Sequence, residues 1–184
     1  AEYSHPDFLT FDSNTTQAMW EGGKLALATM WGSRTSGVLD DEGSTKEVVM
    51  GTEFASAPSF NGGTMPASSL WWDGFIISKN VSDADAEASF IAMMNGISPA
   101  MVQANNDAAT WLIKGYKPSK ASSGVTATAM NGAAPYPMLP FIGALHGAAG
   151  SELSDFLQGK ESANQALADM EAAYNVAAKE KGFL

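Results

Sequence analysis

At most three stretches of this sequence have the make-up of a β-strand, and they lie far apart in a chain of 184 residues. Residues 24–31 (KLALATMW) form an apolar run with glycine on both sides, which reads as a short buried strand. Val48 to Ser56 is a weaker second run, ended by Pro58. Leu70 to Ser78 (LWWDGFIIS) is the clearest, because aromatic and β-branched residues fit a pleated, half-buried surface. Three strands are a thin sheet for this length. The expectation is that further strands come from polypeptide upstream of this sequence.

Helical signals fill the remainder. Asn14 is expected to cap a helix over Thr15 to Glu21, which Gly22-Gly23 ends. Ser82, followed by Asp83, Asp85 and Glu87, starts another, with acidic side chains at the positive end of the helix dipole. Its apolar residues Ala86, Phe90, Ile91 and Met94 share one face. A third is expected from Pro99 to Ile113, with proline in its first turn, and a fourth over 139–158, ended by Gly159. Ser162 and Gln165 form a capping box ahead of the last helix, and Gly182 follows it. Residues 61–64 (NGGT) read as a turn, and 114–138 as a long loop. The fold class is therefore α/β, helix-rich with few strands.

Composition narrows the function. A net charge of −10 would be repelled by nucleic-acid phosphates and by an anionic membrane surface, so neither is an expected partner. The absence of cysteine removes disulfides, thiolate nucleophiles and cysteine-based zinc sites. No HExxH, GxSxG or EF-hand loop occurs, and the run Asp40-Asp41-Glu42 lacks the alternating ligands of a calcium loop. The two histidines, His5 and His146, are far apart in sequence. No catalytic set, metal or cofactor is expected, and the chain is read as a non-enzyme. No run reaches the roughly 20 apolar residues that span a bilayer. Residues 1–6 lack the basic and apolar parts of a signal peptide. An exported precursor would thus have lost its signal, or the chain begins inside a longer protein.

The order of motifs is informative. "AMWEGG" (18–23) precedes "MWG" (30–32), then Gly62-Gly63, "LWWDGFIIS", "KNVSDADAEASFIAMM" (79–94) and "FLQGKESANQALADMEAAYNVAAKEKGF" (156–183). This series resembles the C-terminal half of the family 1 extracellular solute-binding proteins, the maltose-binding-like group that serves ABC importers. The resemblance runs over most of residues 8–184, and the loop at 114–138 departs from it.

The resemblance implies part of a two-lobed, type II periplasmic-binding-protein fold. Residues 1–58 would belong to the C-terminal lobe. Residues 59–134 would hold the crossing segment and a returning part of the N-terminal lobe, and 135–184 further C-terminal-lobe helices. It also implies a periplasmic or extracellular setting, a sugar or polyol as ligand, and ABC permease subunits of the inner membrane as partners. A part of such a fold leaves apolar faces uncovered, which a second copy of the chain would cover in a homodimer.

The expected ligand contacts follow. Trp31 ends a strand whose turn faces the cleft in that family, and Arg34, the sole arginine, is planar and multi-donor. In the crossing strand, Trp71 and Trp72 point to opposite faces, and Asp73 shares a face with Trp71. Gly74 lets a ligand or another backbone come close. The ligand set is therefore Trp31, Arg34, Trp72, Asp73 and Gly74, with Tyr136 in "APYPMLP" a candidate hinge lining. The rival reading is a structural or protein-interaction domain with no small-molecule ligand, in which these tryptophans only pack.

Overall fold

The structure is a computed structural model that describes residues 3–184. Its contacts divide the chain into two units. One joins the described residues up to Phe11 with Pro137–Leu184, and the other is Asp12–Tyr136.

The first unit is a helical hairpin. Helix α7 (Ile142–Leu157) and helix α8 (Ala163–Glu180) pack along each other. Their buried residues are Ala144 and Ala148 on one, and Ala166 and Ala178 on the other. Alanine at these positions leaves room for close approach of two backbones. Ser162 caps α8 as its sequence implies, accepting from the Gln165 backbone N–H at 3.2 Å. The capping box is only half made, because the Gln165 amide reaches forward to both oxygens of Asp169 at 3.0 and 2.9 Å. Gly159 ends the region after α7 with φ of +73°, and Gly182 does the same after α8 with +72°, conformations that glycine adopts without strain.

The second unit holds six helices. They are α1 (Ser13–Glu21), α2 (Thr35–Val38), α3 (Lys46–Gly51), α4 (Asp83–Gly96), α5 (Pro99–Ala104) and α6 (Ser123–Met130). It also holds two short strands, β1 (Ser69–Leu70) and β2 (Ala134–Pro135), which pair in parallel with Ser69 beside Ala134 and Leu70 beside Pro135. Among the described residues the architecture is helix-rich with two strands, compatible with part of an α/β fold.

Several expected boundaries are corrected. Helix α1 is capped by Asp12, whose carboxylate accepts from the Thr15 backbone at 2.7 Å, and Asn14 turns instead to Arg34. Residues 24–31 form no strand, since no partner strand lies beside them and Leu27 is exposed. Val48 and Val49 are helical: Thr45 accepts from the Val48 backbone at 3.3 Å and starts α3, which overrides the β preference of two valines. The helix that begins at Pro99 stops at Ala104, where Asn105 turns its side chain back to the Met101 carbonyl at 3.0 Å. The expected loop over 114–138 contains α6 and β2. Gly124 explains α6: a Cβ there would lie 2.8 Å from the Ala55 carbonyl, so only glycine lets this helix settle against residues 54–55. Of the run Leu70 to Ser78, only Leu70 belongs to a strand.

The turn at Asn61-Gly62 forms as expected, with φ of +49° and +75°, closed by the bridge between Ser59 and Pro66. Helix α4 also begins where its sequence places it, with Ser82 accepting from Asp85 N–H at 3.2 Å. No helix among the described residues is long and apolar enough to cross a membrane.

Candidate functional site

Strand pairing builds the site. The ladder of β1 and β2 continues one step further, as the Tyr136 N–H donates to the Leu70 carbonyl at 2.7 Å. That last hydrogen bond sets Tyr136 beside Trp71, with ring centroids 4.5 Å apart and planes tilted by 52°. Trp31 also meets Trp71, edge-on, with ring centroids 6.4 Å apart and planes at 73°. Three rings from three separated segments thus form one aromatic patch. Trp31 is 55% exposed and Trp71 is 46% exposed, so the patch is open to solvent.

Polar groups rim it. The Trp71 indole N–H donates to Asp73 Oδ1 at 3.2 Å, which puts the carboxylate on the Trp71 side, as alternation along an extended chain requires. Trp31 leads into a 3-10 turn, Gly32–Arg34, in which Arg34 N–H bonds to the Trp31 carbonyl at 2.9 Å. Gly32 packs closely here, since a Cβ would lie 3.1 Å from the Val125 side chain of α6. The Arg34 guanidinium reaches back to α1, where Nη1 donates to Asn14 Oδ1 at 2.7 Å and Gln17 Oε1 at 3.2 Å. Arg34 therefore fastens the Trp31 turn to α1. The same guanidinium helps to hold the Asp12 carboxyl below its ordinary range, though the larger cause is its hydrogen bonds from Thr15.

Of the residues named from sequence, Trp31 and Asp73 come together around Trp71. Arg34 is engaged with α1. Trp72 is exposed and makes no ring contact among the described residues. Gly74 has open space where a side chain would be, with nothing within 4 Å. Sequence reasoning placed Trp71 only as the neighbour of Asp73 and treated Tyr136 as a hinge residue. The missing signal was the pairing of residues 65 positions apart, since only a strand at 134–135 brings Tyr136 to Trp71.

Two clefts lie elsewhere in this unit. One of about 440 Å3 is lined by Pro99, Val102, Gln103, Asn106, Lys114, Gly115 and Lys117. Another of about 210 Å3 lies beside Trp20 and Thr52. Thr52 is buried, accepts from the Trp20 indole at 2.9 Å and donates to the Val48 carbonyl at 2.6 Å, so its polar atom is fully used inside the fold.

Compared with known proteins, the sequence matches no family model and no curated protein.

Proposed function

We propose that this chain is part of the substrate-binding component of an ABC importer and captures a sugar or polyol. The observation that carries the reading is the solvent-open cluster of Trp31, Trp71 and Tyr136 with Asp73 at its edge. A pyranose offers an apolar C–H face that stacks on such rings, and hydroxyls that donate to a carboxylate. Ligand hydroxyls and site acceptors must find each other once water is excluded, which gives discrimination by hydroxyl pattern. A neutral ligand also agrees with the site charges, because the sole arginine is already engaged with Asn14 and Gln17. The proposed mechanism makes and breaks no covalent bond. Closure of two lobes traps the ligand, and the closed form delivers it to permease subunits on the outer side of the membrane. The motif order that resembles family 1 solute-binding proteins supports the transport setting.

A titration of tryptophan emission with a panel of sugars and polyols tests this. With part of the cleft supplied from elsewhere, affinity is expected in the millimolar range, about −4 kcal/mol. Trp71→Ala is expected to weaken it roughly tenfold, which is about 1.4 kcal/mol. No response to any member of the panel, from a chain that retains its helical circular dichroism, removes this reading. The protein-interaction reading then takes its place, and the exposed apolar side chains of residues 71–76 and α4 favour it.

A further inference from the structure

The larger cleft of the second unit, about 440 Å3, is set apart by its charge. Between Glu87 and Glu152 the sequence holds one carboxylate, Asp107, and three lysines, Lys114, Lys117 and Lys120. In a chain of net charge −10 this is a local reversal of sign. Lys120 is matched by Glu53 at 3.2 Å. Lys114 and Lys117 line the cleft, and among the described residues neither ammonium has an ion-pair or hydrogen-bond partner. Asp107 does not line it, and its carboxylate accepts from the Asn106 amide at 3.0 Å.

The segment that carries the two lysines is fixed at several points. The Tyr116 N–H donates to the Ile113 carbonyl at 3.1 Å, which closes a turn with Gly115 at φ of +97°, as the third residue of a type II turn requires. The Asn106 side chain clamps both backbone groups of Lys117. Its amide donates to the carbonyl at 2.8 Å, and its oxygen accepts from the N–H at 3.1 Å. The Trp111 indole donates to the Asn105 carbonyl at 3.0 Å. Residues 111–117 are thereby tied back to the end of α5, whose Pro99, Val102 and Gln103 supply the rest of the lining.

We infer that this cleft is a second ligand site, which takes a small organic phosphate monoester. Its volume falls within the roughly 300–1,000 Å3 of small-molecule sites. Two ammoniums match the charge of a phosphate monoester, about −1.5 to −2 at neutral pH, whereas a single carboxylate would leave one of them unmatched. Lysine meets phosphate as a compact point charge, while the planar fork that suits a carboxylate belongs to arginine, and the sole arginine is engaged with α1. The Gly115 N–H, which donates to no group among the described residues, adds a donor on the same turn. Pro99 and Val102 offer an apolar surface to the organic part. The acidity of the rest of the chain acts weakly here, because charges beyond about 8 Å are screened at physiological salt.

The test is a nitrogen–proton NMR titration of the whole chain with phenyl phosphate at about 0.15 M salt. Saturable shifts are expected at the amides of Gln103, Lys114, Gly115 and Lys117, with affinity in the millimolar range, about −4 kcal/mol. Lys114→Gln and Lys117→Gln should each weaken binding about threefold, the scale of an exposed ion pair. The double variant should show no saturable shift at unchanged helical circular dichroism, and Lys120→Gln should bind as the unaltered chain does. Binding should be tighter near pH 7.5 than near pH 5, because the ligand loses its second charge as pH falls through about 6. Benzenesulfonate, a monoanion throughout, should bind more weakly and without that pH dependence. The inference is overturned by non-saturable shifts, by equal shifts around Lys46 and Lys79, by binding that survives the double variant, or by equal affinity for benzenesulfonate or benzyl alcohol. These outcomes are separate from sugar binding, since the lysine variants leave Trp31, Trp71 and Tyr136 in place.

Discussion

Helices α4 and α8 start with the same device and end in different circumstances. Each has a serine N-cap that accepts a backbone N–H three residues on at 3.2 Å. Helix α8 then buries Ala166 and Ala178 in its hairpin with α7. Helix α4 buries no residue, and Phe90, Ile91 and Met94 all stand in solvent. The difference teaches that capping decides where a helix begins, whereas packing decides what it contributes to stability. An isolated helix of this length is marginal in water.

The sharpest way to break the comparison is to alter one packed and one bare position. Ala178 is fully buried, so Ala178→Leu overfills the hairpin and is expected to cost about 1–3 kcal/mol. Phe90→Ala on α4 is expected to change the stability of the single chain by less than about 0.5 kcal/mol. Urea denaturation of both variants checks the contrast. Equal losses would mean that α4 is covered in solution.

A smaller effect comes from the caps. Ser162→Ala should lower global stability by about 1 kcal/mol. Ser82→Ala should leave the urea midpoint in place and raise amide exchange only in the first turn of α4, because fraying there stays local. Hydrogen exchange by mass spectrometry separates the two.

The smallest effect belongs to Asp12 at the start of α1. Its pKa is lowered in the folded chain by hydrogen bonds from the Thr15 backbone and side chain, with a lesser pull from Arg34. The folded state therefore favours the carboxylate. That stabilisation is present above the ordinary value of 3.8 and is lost as pH falls through the lower folded value. Asp12→Asn should flatten this part of the acid limb in thermal unfolding. An unchanged slope would show that the cap is not formed in solution.

Local signals were legible in the sequence, and distant ones were not. Ser82 and Ser162 marked helix starts that the structure contains, because a cap needs only neighbours within three residues. The strand readings at 24–31 and 48–56 failed for the opposite reason. A strand is made by its partner, and none lies beside residues 24–31, while Thr45 drew Val48 and Val49 into α3. Helix α6 escaped notice because its defining contact, Gly124 against Ala55, joins residues far apart in sequence. At the candidate site, alternation put Asp73 with Trp71, but nothing local announced Tyr136.

The edge-on pair of Trp31 and Trp71 gives this chain a built-in optical reporter. Two indoles 6.4 Å apart are close enough for their transitions to couple, and the 73° tilt between their planes permits an exciton couplet in circular dichroism. Its amplitude depends on the turn that holds Trp31 and on the segment that holds Trp71, which lie 40 residues apart in sequence. Loss of the couplet at constant helical signal would therefore register their separation before any helix melts.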